Sequence, residues 1–450
     1  MLGFSGTREW VYPQSIRGCF MTLRRWTFLG LHLVLFVVPW ITLQGNALLR
    51  VDLPARRVFL FGQIFTASDT IFLLLLLLFL AFSLFFFTAI FGRVWCGYAC
   101  PQTVFLETWI RPIELWIEGD RTRRKRRDQA GLTLDKAWRK LVKWGLFAAV
   151  SLLLGMAFMS IFAGARELWT GRAGPVEYAL VAITAGAWFF DFVWFREQFC
   201  NYLCPYARFQ SALADDHSLT ITYDTARGEP RGKGQAVAAA GRCIECSKCV
   251  TVCPQGIDIR NGFQLECIQC ARCIDACTSV MSPLGHRTLV AYNTIAAAEG
   301  RAVRTLRPRT VVYGLFMASL VAMAFVGIVT RTPFEATVNR APGSLFTVDA
   351  DGFVRNTFLL SLTNNDPALS EQPYHVTVEG LPGAEVLVED VRLRSTESRV
   401  VPLIVRVPQQ ERLARTVPLY VHVQSTGARV VLETTFKSGS AIDATRKSRP

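Results

Sequence analysis

Two cysteine runs constrain this chain more than any other feature. They are Cys243-Ile-Glu-Cys246-Ser-Lys-Cys249-Val-Thr-Val-Cys253-Pro254 and Cys267-Ile-Gln-Cys270-Ala-Arg-Cys273-Ile-Asp-Ala-Cys277. Each reads C-x2-C-x2-C-x3-C, the spacing of a loop that wraps a [4Fe–4S] cluster. In such a pair the fourth cysteine of one run ligates the other cluster. One cluster is therefore assigned to Cys243, Cys246, Cys249 and Cys277, and the second to Cys267, Cys270, Cys273 and Cys253. Zinc also uses C-x2-C pairs. It does not account for the third cysteine at x2 or for Pro254. Thr278 stands where the second run would carry its own proline, a departure that removes no ligand.

Thiolate-bound clusters need a reducing compartment. The rest of the chain shows how they reach one. Five segments are apolar over the roughly 20 residues that cross a bilayer: Trp26–Leu43, Thr70–Phe91, Trp144–Ala163, Tyr178–Phe195 and Thr310–Thr330. The net charge of +14 is not a nucleic-acid footprint, because the arginines flank these spans. Arg17, Arg24 and Arg25 precede the first span. Arg121–Arg127, Arg139, Lys140 and Lys143 follow the second, and Arg301, Arg304, Arg307 and Arg309 precede the fifth. The positive-inside rule places all of them in the cytoplasm. Arg50, Arg56 and Arg57 in the loop Gln44–Asp69 mildly oppose this. The N-terminus and the cluster region are then cytoplasmic and the C-terminal region periplasmic, in a multi-pass protein of the inner membrane in contact with lipid. The Arg24-Arg25 pair has no A-x-A cleavage site after it, so the first span is read as retained. The run Arg121–Arg127 reads as a solvated loop, with contact to anionic lipid as the alternative.

The fold expected is a polytopic α-helical membrane protein of five transmembrane helices. It carries an inserted 2[4Fe–4S] ferredoxin-like domain and a C-terminal all-β immunoglobulin-like sandwich. Its expected domains are a cytoplasmic N-terminus (1–25), a four-helix membrane region (26–215), the ferredoxin-like domain (216–309), the fifth helix (310–330), the periplasmic sandwich (334–437) and a disordered tail (438–450). Seven short alternating stretches support the sandwich: Ser344–Val348, Phe353–Thr363, Tyr374–Glu379, Glu385–Glu389, Val400–Val407, Val417–Val423 and Arg429–Phe436. It lacks cysteine, and His375 and His422 read as surface or packing residues. Its role is expected to be docking of a periplasmic partner.

A second cysteine pattern is repeated. Phe91-Gly-Arg-Val-Trp95-Cys96-Gly-Tyr98-Ala-Cys100-Pro101 follows span two, and Phe195-Arg-Glu-Gln-Phe199-Cys200-Asn-Tyr202-Leu-Cys204-Pro205 follows span four. Spans one–two and three–four thus read as duplicated units, each delivering a C-x3-C-P to the cytoplasmic membrane edge. If the helix continues, the two cysteines of each pair share a face, and the proline then ends or redirects the helix. The pairs can converge into a four-thiol site for Cu(I), zinc or an iron–sulfur centre. They can also form redox disulfides, or be small apolar packing residues. Cys19 has no cysteine neighbour and reads as non-functional.

Asp191 lies inside the fourth span, where a carboxylate costs on the order of 3 kcal/mol at mid-bilayer. It is either an anchor paired with Arg196 or a proton or metal group. Met156, Met159, Met317 and Met323 read as packing residues, with thioether ligation of copper as the alternative. There is no C-x-x-C-H, and only His32 lies in a span, so a bis-histidine haem cannot be built within one chain. No Rossmann or P-loop glycine pattern opens a helix.

Taken together, these parts resemble the FixG/RdxA/CcoG family, accessory proteins for cbb3-type cytochrome c oxidase. Val51–Gly62 is also similar to that family's first periplasmic loop. The resemblance implies reduction of Cu(II) to Cu(I) in the cytoplasm for the oxidase's copper site. Cys96, Cys100, Cys200 and Cys204 would then form the copper or thiol redox site, fed with electrons by the ferredoxin cysteines. It implies copper as substrate, and as partners copper-trafficking proteins, oxidase assembly factors and a cytoplasmic electron donor of unknown identity. A homodimer is compatible with the sequence, and nucleic acid is not expected. Two other readings are an electron carrier similar to NapH-type ferredoxins, passing electrons from quinol to a respiratory enzyme, and a non-enzymatic redox sensor or assembly scaffold.

Overall fold

Five long apolar helices organise the first part of the chain. A computed structural model describes residues 10–43, 46–54, 56–65, 69–131, 133–232, 242–330, 332–365, 371–394, 397–408, 415–425 and 427–438. The expected tail lies almost wholly outside these. The helices long and apolar enough to span are Cys19–Trp40, Thr70–Phe91, Leu134–Ala163, Pro175–Phe195 and Pro308–Val329. Two begin well before the expected spans, because Cys19–Arg25 and Leu134–Lys143 are helical yet polar. Hydropathy finds the bilayer-crossing part of a helix and is blind to its solvated extension.

The chain divides into two compact units, one of residues 1–41, 50–52 and 71–324, the other of 42–49, 53–70 and 325–450. In the first, the helices include α1 (Cys19–Val37), α2 (Thr70–Phe91), α3 (Val94–Tyr98), α4 (Pro101–Phe105), α5 (Arg111–Glu118), α6 (Arg121–Gln129), α7 (Leu134–Ala163), α8 (Pro175–Phe190), α9 (Pro205–Leu213), α10 (Lys248–Thr251), α11 (Arg272–Met281) and most of α12 (Pro308–Val329), besides three of four or five residues. Helices α7 and α8 pack through small residues: a Cβ at Gly155 would sit 3.3 Å from the Ala185 Cβ and the Val181 carbonyl oxygen. Helices α2 and α12 meet through aromatic rings, with Phe82 stacked on Phe316 at 5.0 Å. Met159 is buried beside Leu168 and Val181, with Met156 packed against them.

The ferredoxin-like part is closed by two antiparallel strands, β1 (Thr220–Tyr223) and β2 (Val290–Asn293). Ile221, Tyr223, Ile257, Ile259, Ile274, Leu289 and Val290 form its core. Helix α10 stops two residues before Cys253 and Pro254, whereas α11 runs on through Cys277 to Met281. Thr278 explains the difference: its N–H can serve the helix where a proline would block it.

The second unit contains a sandwich of two antiparallel sheets. Its strands are β3 (Phe334–Arg340), β4 (Thr347–Val348), β5 (Phe353–Asn364), β6 (Glu371–Glu379), β7 (Glu385–Leu387), β8 (Val391–Arg394), β9 (Ser398–Pro408), β10 (Thr416–Ser425) and β11 (Ala428–Lys437). One sheet has the order β7-β9-β5-β3 with β4 on β5, and the other β8-β6-β10-β11. Strands β3 and β8 add to the seven expected. The first directly follows a membrane helix, and the second is too short for its alternation to show in sequence. Along β5 every second residue is buried, from Val354 to Asn364, and the core is closed by Phe334, Phe358, Leu360, Leu403, Val421 and Phe436. Buried Asn356 accepts from Lys437 N at 2.9 Å and donates to Lys437 O at 2.8 Å, stapling β11 to β5. His422 stands 3.1 Å from Glu379 and accepts from Arg429, a packing role.

Candidate cluster sites and the thiol pairs beside them

The two cysteine runs fold alike. Glu245 and Ser247 in the first have φ of 53° and 54°, and Gln269 and Ala271 at the same offsets in the second have 52° and 59°. Left-handed conformations cost roughly 1–2 kcal/mol in non-glycine residues. Here they curl each C-x2-C-x2-C so that its thiols turn inward. Cys243, Cys246, Cys249 and Cys277 line one pocket. Cys253, Cys267, Cys270 and Cys273 line a second, with Cys249 in the wall common to both. The first pocket thus presents four thiols and the second its own four beside the shared Cys249, the donor set a [4Fe–4S] cluster takes, so the residues fit the group. No three His, Cys, Asp or Glu among the described residues lie close enough for a single metal ion. Burial pushes the Cys267 thiol up to about 12, and Cys273 rises for the same reason. Such thiols hold their protons until a cation replaces them.

The C-x3-C-P pairs do not lie on continuing helices. Cys96 is in α3, but Cys100 is extended (φ −63°, ψ 125°) and caps α4, whose first residue is Pro101. Cys200 lies in a π-helical turn, and Cys204 caps α9 ahead of Pro205. The helix ends before each second cysteine, and the proline starts the next one, a position that wastes no N–H. The expectation of i, i+4 pairs on one helix face is thereby corrected. Cys100 and Cys204 instead sit at helix N-termini. Burial raises the Cys100 pKa, while the N–H groups of Thr103 and Gln102 oppose the rise. Burial also pushes Cys96 up to about 12, with Cys100 and Cys204 adding to it, and Cys200 feels Cys100, Cys96 and Cys204 in the same way. The four thiols therefore lie within electrostatic reach of one another. The Cys96 Sγ donates to Gln210 Oε1 at 3.2 Å.

Both loops abut the pocket of Cys253, Cys267, Cys270 and Cys273. A Cβ on Gly97 would lie 2.6 Å from the Ile268 carbonyl oxygen and 2.9 Å from Cys270 Cα. Only glycine permits that approach. Cys96 packs with Ile268 and Cys270. On the other side, Asn201 donates to Gln255 Oε1 at 3.3 Å, and Gln255 lines the same pocket.

Several residues that sequence reasoning missed hold this arrangement. Buried Arg93 donates to the carbonyls of Leu265 and Ala207, joining the first pair, the second cysteine run and α9. Arg24, read as a topology signal, is fully buried and donates to Gly97 O at 2.9 Å. Asp275, between Cys273 and Cys277, accepts from the backbone N–H groups of Met21 (2.8 Å) and Phe20 (3.3 Å) and so caps α1. Glu107 receives Arg111, Arg272 and Arg24. Burial pushes its carboxyl up, but these guanidiniums outweigh burial and hold it at about 2. The ladder continues through Glu197 to Arg196, which forks onto Glu114 at 2.6 and 2.9 Å. Arg124 joins Glu114 at 2.8 Å, so the basic run is a helix with one buried rung and not only a solvated loop. Arg196 is therefore not the partner of Asp191. Gln102 is, donating to Asp191 Oδ2 at 2.6 Å. Most of these pairings are distant in the chain, 82 positions for Arg196–Glu114, 165 for Arg272–Glu107 and 254 for Met21–Asp275, and no local pattern signals those.

Membrane helices, paired cluster loops and a terminal sandwich define a membrane-bound iron–sulfur protein of the dicluster ferredoxin class. Residues 195–295 match a family described as a 4Fe-4S dicluster domain, and residues 72–124 one described as a 4Fe-4S binding domain. Residues 324–439 match the IG-like fold at the C-terminal of FixG. The chain is 36% identical to Protein RdxB of Cereibacter sphaeroides, over 95% of this chain and 96% of that one. It is 35% identical to Protein RdxA of the same organism, over 89% of each. With the nitrogen fixation protein FixG of Rhizobium meliloti it shares 34% identity, over 85% of this chain and 81% of the relative. The chain belongs to the FixG/RdxA family.

Proposed function

We propose that the protein reduces Cu(II) to Cu(I) at the cytoplasmic face of the inner membrane, for the copper site of a cbb3-type oxidase. Cys243, Cys246, Cys249 and Cys277 hold one [4Fe–4S] cluster, and Cys253, Cys267, Cys270 and Cys273 the other. When bound, the clusters supply one-electron carriage. The observation that carries the reading is the double contact of the second cysteine pocket, with Gly97 against Cys270 and Asn201 on Gln255. It puts both thiol pairs beside one potential cluster site.

Cys96, Cys100, Cys200 and Cys204 receive the copper, and because no three of them lie close enough to hold one ion as they stand, a third thiol joins only as copper draws them together. Each Cu(II) takes up one electron, and soft thiolates favour the Cu(I) product. The proton on Cys96 Sγ, held toward Gln210 Oε1, is displaced as copper binds. The N-terminus and the cluster region share the cytoplasmic side, a reading supported by Arg272 donating to Gln14 O at 2.6 Å. The sandwich lies in the periplasm, facing oxidase assembly factors, and Cu(I) leaves to a copper-trafficking partner.

The test is anaerobic. The purified full chain is reduced, freed of reductant and given Cu(II), while visible absorbance and Cu(I) capture by a chelator are followed together. Recovery of the visible absorbance matched by Cu(I) formation, lost in the Cys100→Ser/Cys204→Ser double variant although that variant shows the same absorbance before reduction, is the expected result. Cu(I) formation at the wild-type rate in the double variant sinks the assignment.

A further inference from the structure

A cavity of about 860 Å³ opens beside α1, in the size range of small-molecule sites. Its wall runs from Phe36 and Phe28 on α1, past Leu153 on α7, to Trp109, Arg111 and Arg272. Phe28 and Phe36 are eight residues apart, so the slot follows α1 for about 12 Å. Arg272 also lines the pocket of Cys253, Cys267, Cys270 and Cys273, so one guanidinium is wall to both spaces.

The inner end is aromatic and rich in unused donors. His32 Nδ1 lies 2.7 Å from the Phe28 carbonyl oxygen and so carries the ring proton, while Nε2 accepts from Trp109 Nε1 at 2.9 Å. Thr108 Oγ1 and the Nε atoms of Arg111 and Arg272 are buried without a hydrogen-bond partner. They belong to residues that line the cavity but are themselves closed off from it, so an acceptor meets them only when their side chains turn; a buried donor left unmade costs roughly 1–3 kcal/mol, which favours that turn. Both guanidinium charges already rest on Glu107, which suits a neutral acceptor better than a phosphate.

We propose that this cavity binds a lipid-soluble hydroquinone, the electron source for the copper reduction. Its tail lies along α1 and α7, and its ring oxygens meet Thr108, Arg111 and Arg272. The hydroquinone gives up two electrons and two protons and departs as the quinone. The electrons are those that convert two Cu(II) to two Cu(I), and the protons pass to water at the end lined by Asp120. The source assignment rests on the copper reading; the binding site does not.

The test uses the full chain in detergent with decyl-benzoquinone as probe. Saturable quenching of tryptophan fluorescence is expected. Binding should weaken about tenfold in Leu153→Trp, which fills the slot, and severalfold in Thr108→Val. An azido-benzoquinone on the unmodified protein, which needs no variant to fold, should cross-link within 28–36 or 107–112. Non-saturable quenching, cross-links elsewhere, or a co-purifying phospholipid that the quinone cannot displace would overturn the site. Protein reduced by dithionite and desalted should form Cu(I) whether or not Leu153→Trp is present, whereas hydroquinone-driven Cu(I) should be lost in that variant. If desalted reduced protein forms no Cu(I), the copper reading fails, while probe binding still judges the cavity.

Discussion

The two C-x3-C-P loops are copies in sequence and opposites in attachment. Both turn through a left-handed residue at the same offset, Gly92 with φ 60° and Arg196 with φ 54°. Glycine takes that conformation freely. Arginine is strained there, and its side chain forks onto Glu114. One residue on, the charges are opposite. Arg93 reaches the cysteine run through Leu265 O, and Glu197 reaches the ion-pair ladder through Arg111. Next to the first thiol of each loop, Gly97 meets the second run backbone to backbone, whereas Asn201 spans the gap with a side chain. The first loop is thus pressed directly against the backbone of the cluster-pocket wall, and the second leans on it through one side chain. The repeat supplies two thiol pairs, and differences at three positions give them different supports.

The largest break in this comparison should come from Arg93. Arg93→Met removes a buried guanidinium and leaves two carbonyls unserved, at about 3–5 kcal/mol. It should lower the melting temperature of the detergent-solubilised protein and cut the Cu(I) yield; a melting curve unchanged within error would show the first loop is held otherwise. Next comes Gly97→Ala. Its Cβ meets backbone that cannot swing aside, so overpacking of about 1–3 kcal/mol is expected. The Cu(I) rate should fall more than tenfold while cluster absorbance stays.

Asn201→Ala removes one hydrogen bond, worth about 0.5–1.5 kcal/mol. Its rate should stay within threefold of wild type, and a loss matching that of Gly97→Ala would erase the asymmetry between the loops. The smallest effect at neutral pH concerns the ladder. Burial pushes Glu107 and Glu114 up, but arginines hold both at about 2, below the roughly 4.3 of an unfolded glutamate. Their stabilisation is complete above the unfolded value and lost as pH falls toward the folded one. Melting temperature should be flat from neutrality to mildly acidic pH and then drop, and Glu107→Gln should flatten the drop.

Much of this was legible in the chain itself. That the two cysteine runs belong to a 4Fe-4S dicluster domain follows from spacing, because a cube held by one tight loop leaves no freedom in the intervals. The five spans follow from hydropathy because a bilayer has one thickness. The sandwich follows from alternation, as along Phe353–Asn364, because the pleat has period two. The sequence also marked the thiol pairs as a repeat. Tertiary structure alone decided their surroundings. The prolines begin helices where a break was expected to end them, since a proline that cannot continue one helix is well suited to the first turn of the next. Asp191 took Gln102 as its partner, Arg24 turned inward to Gly97, and Asp275 capped α1, because charges at the membrane edge settle on whichever partner the packed helices bring near. Composition and periodicity are local and can be read along the chain; ion pairs between residues a hundred positions apart exist only once the chain has folded.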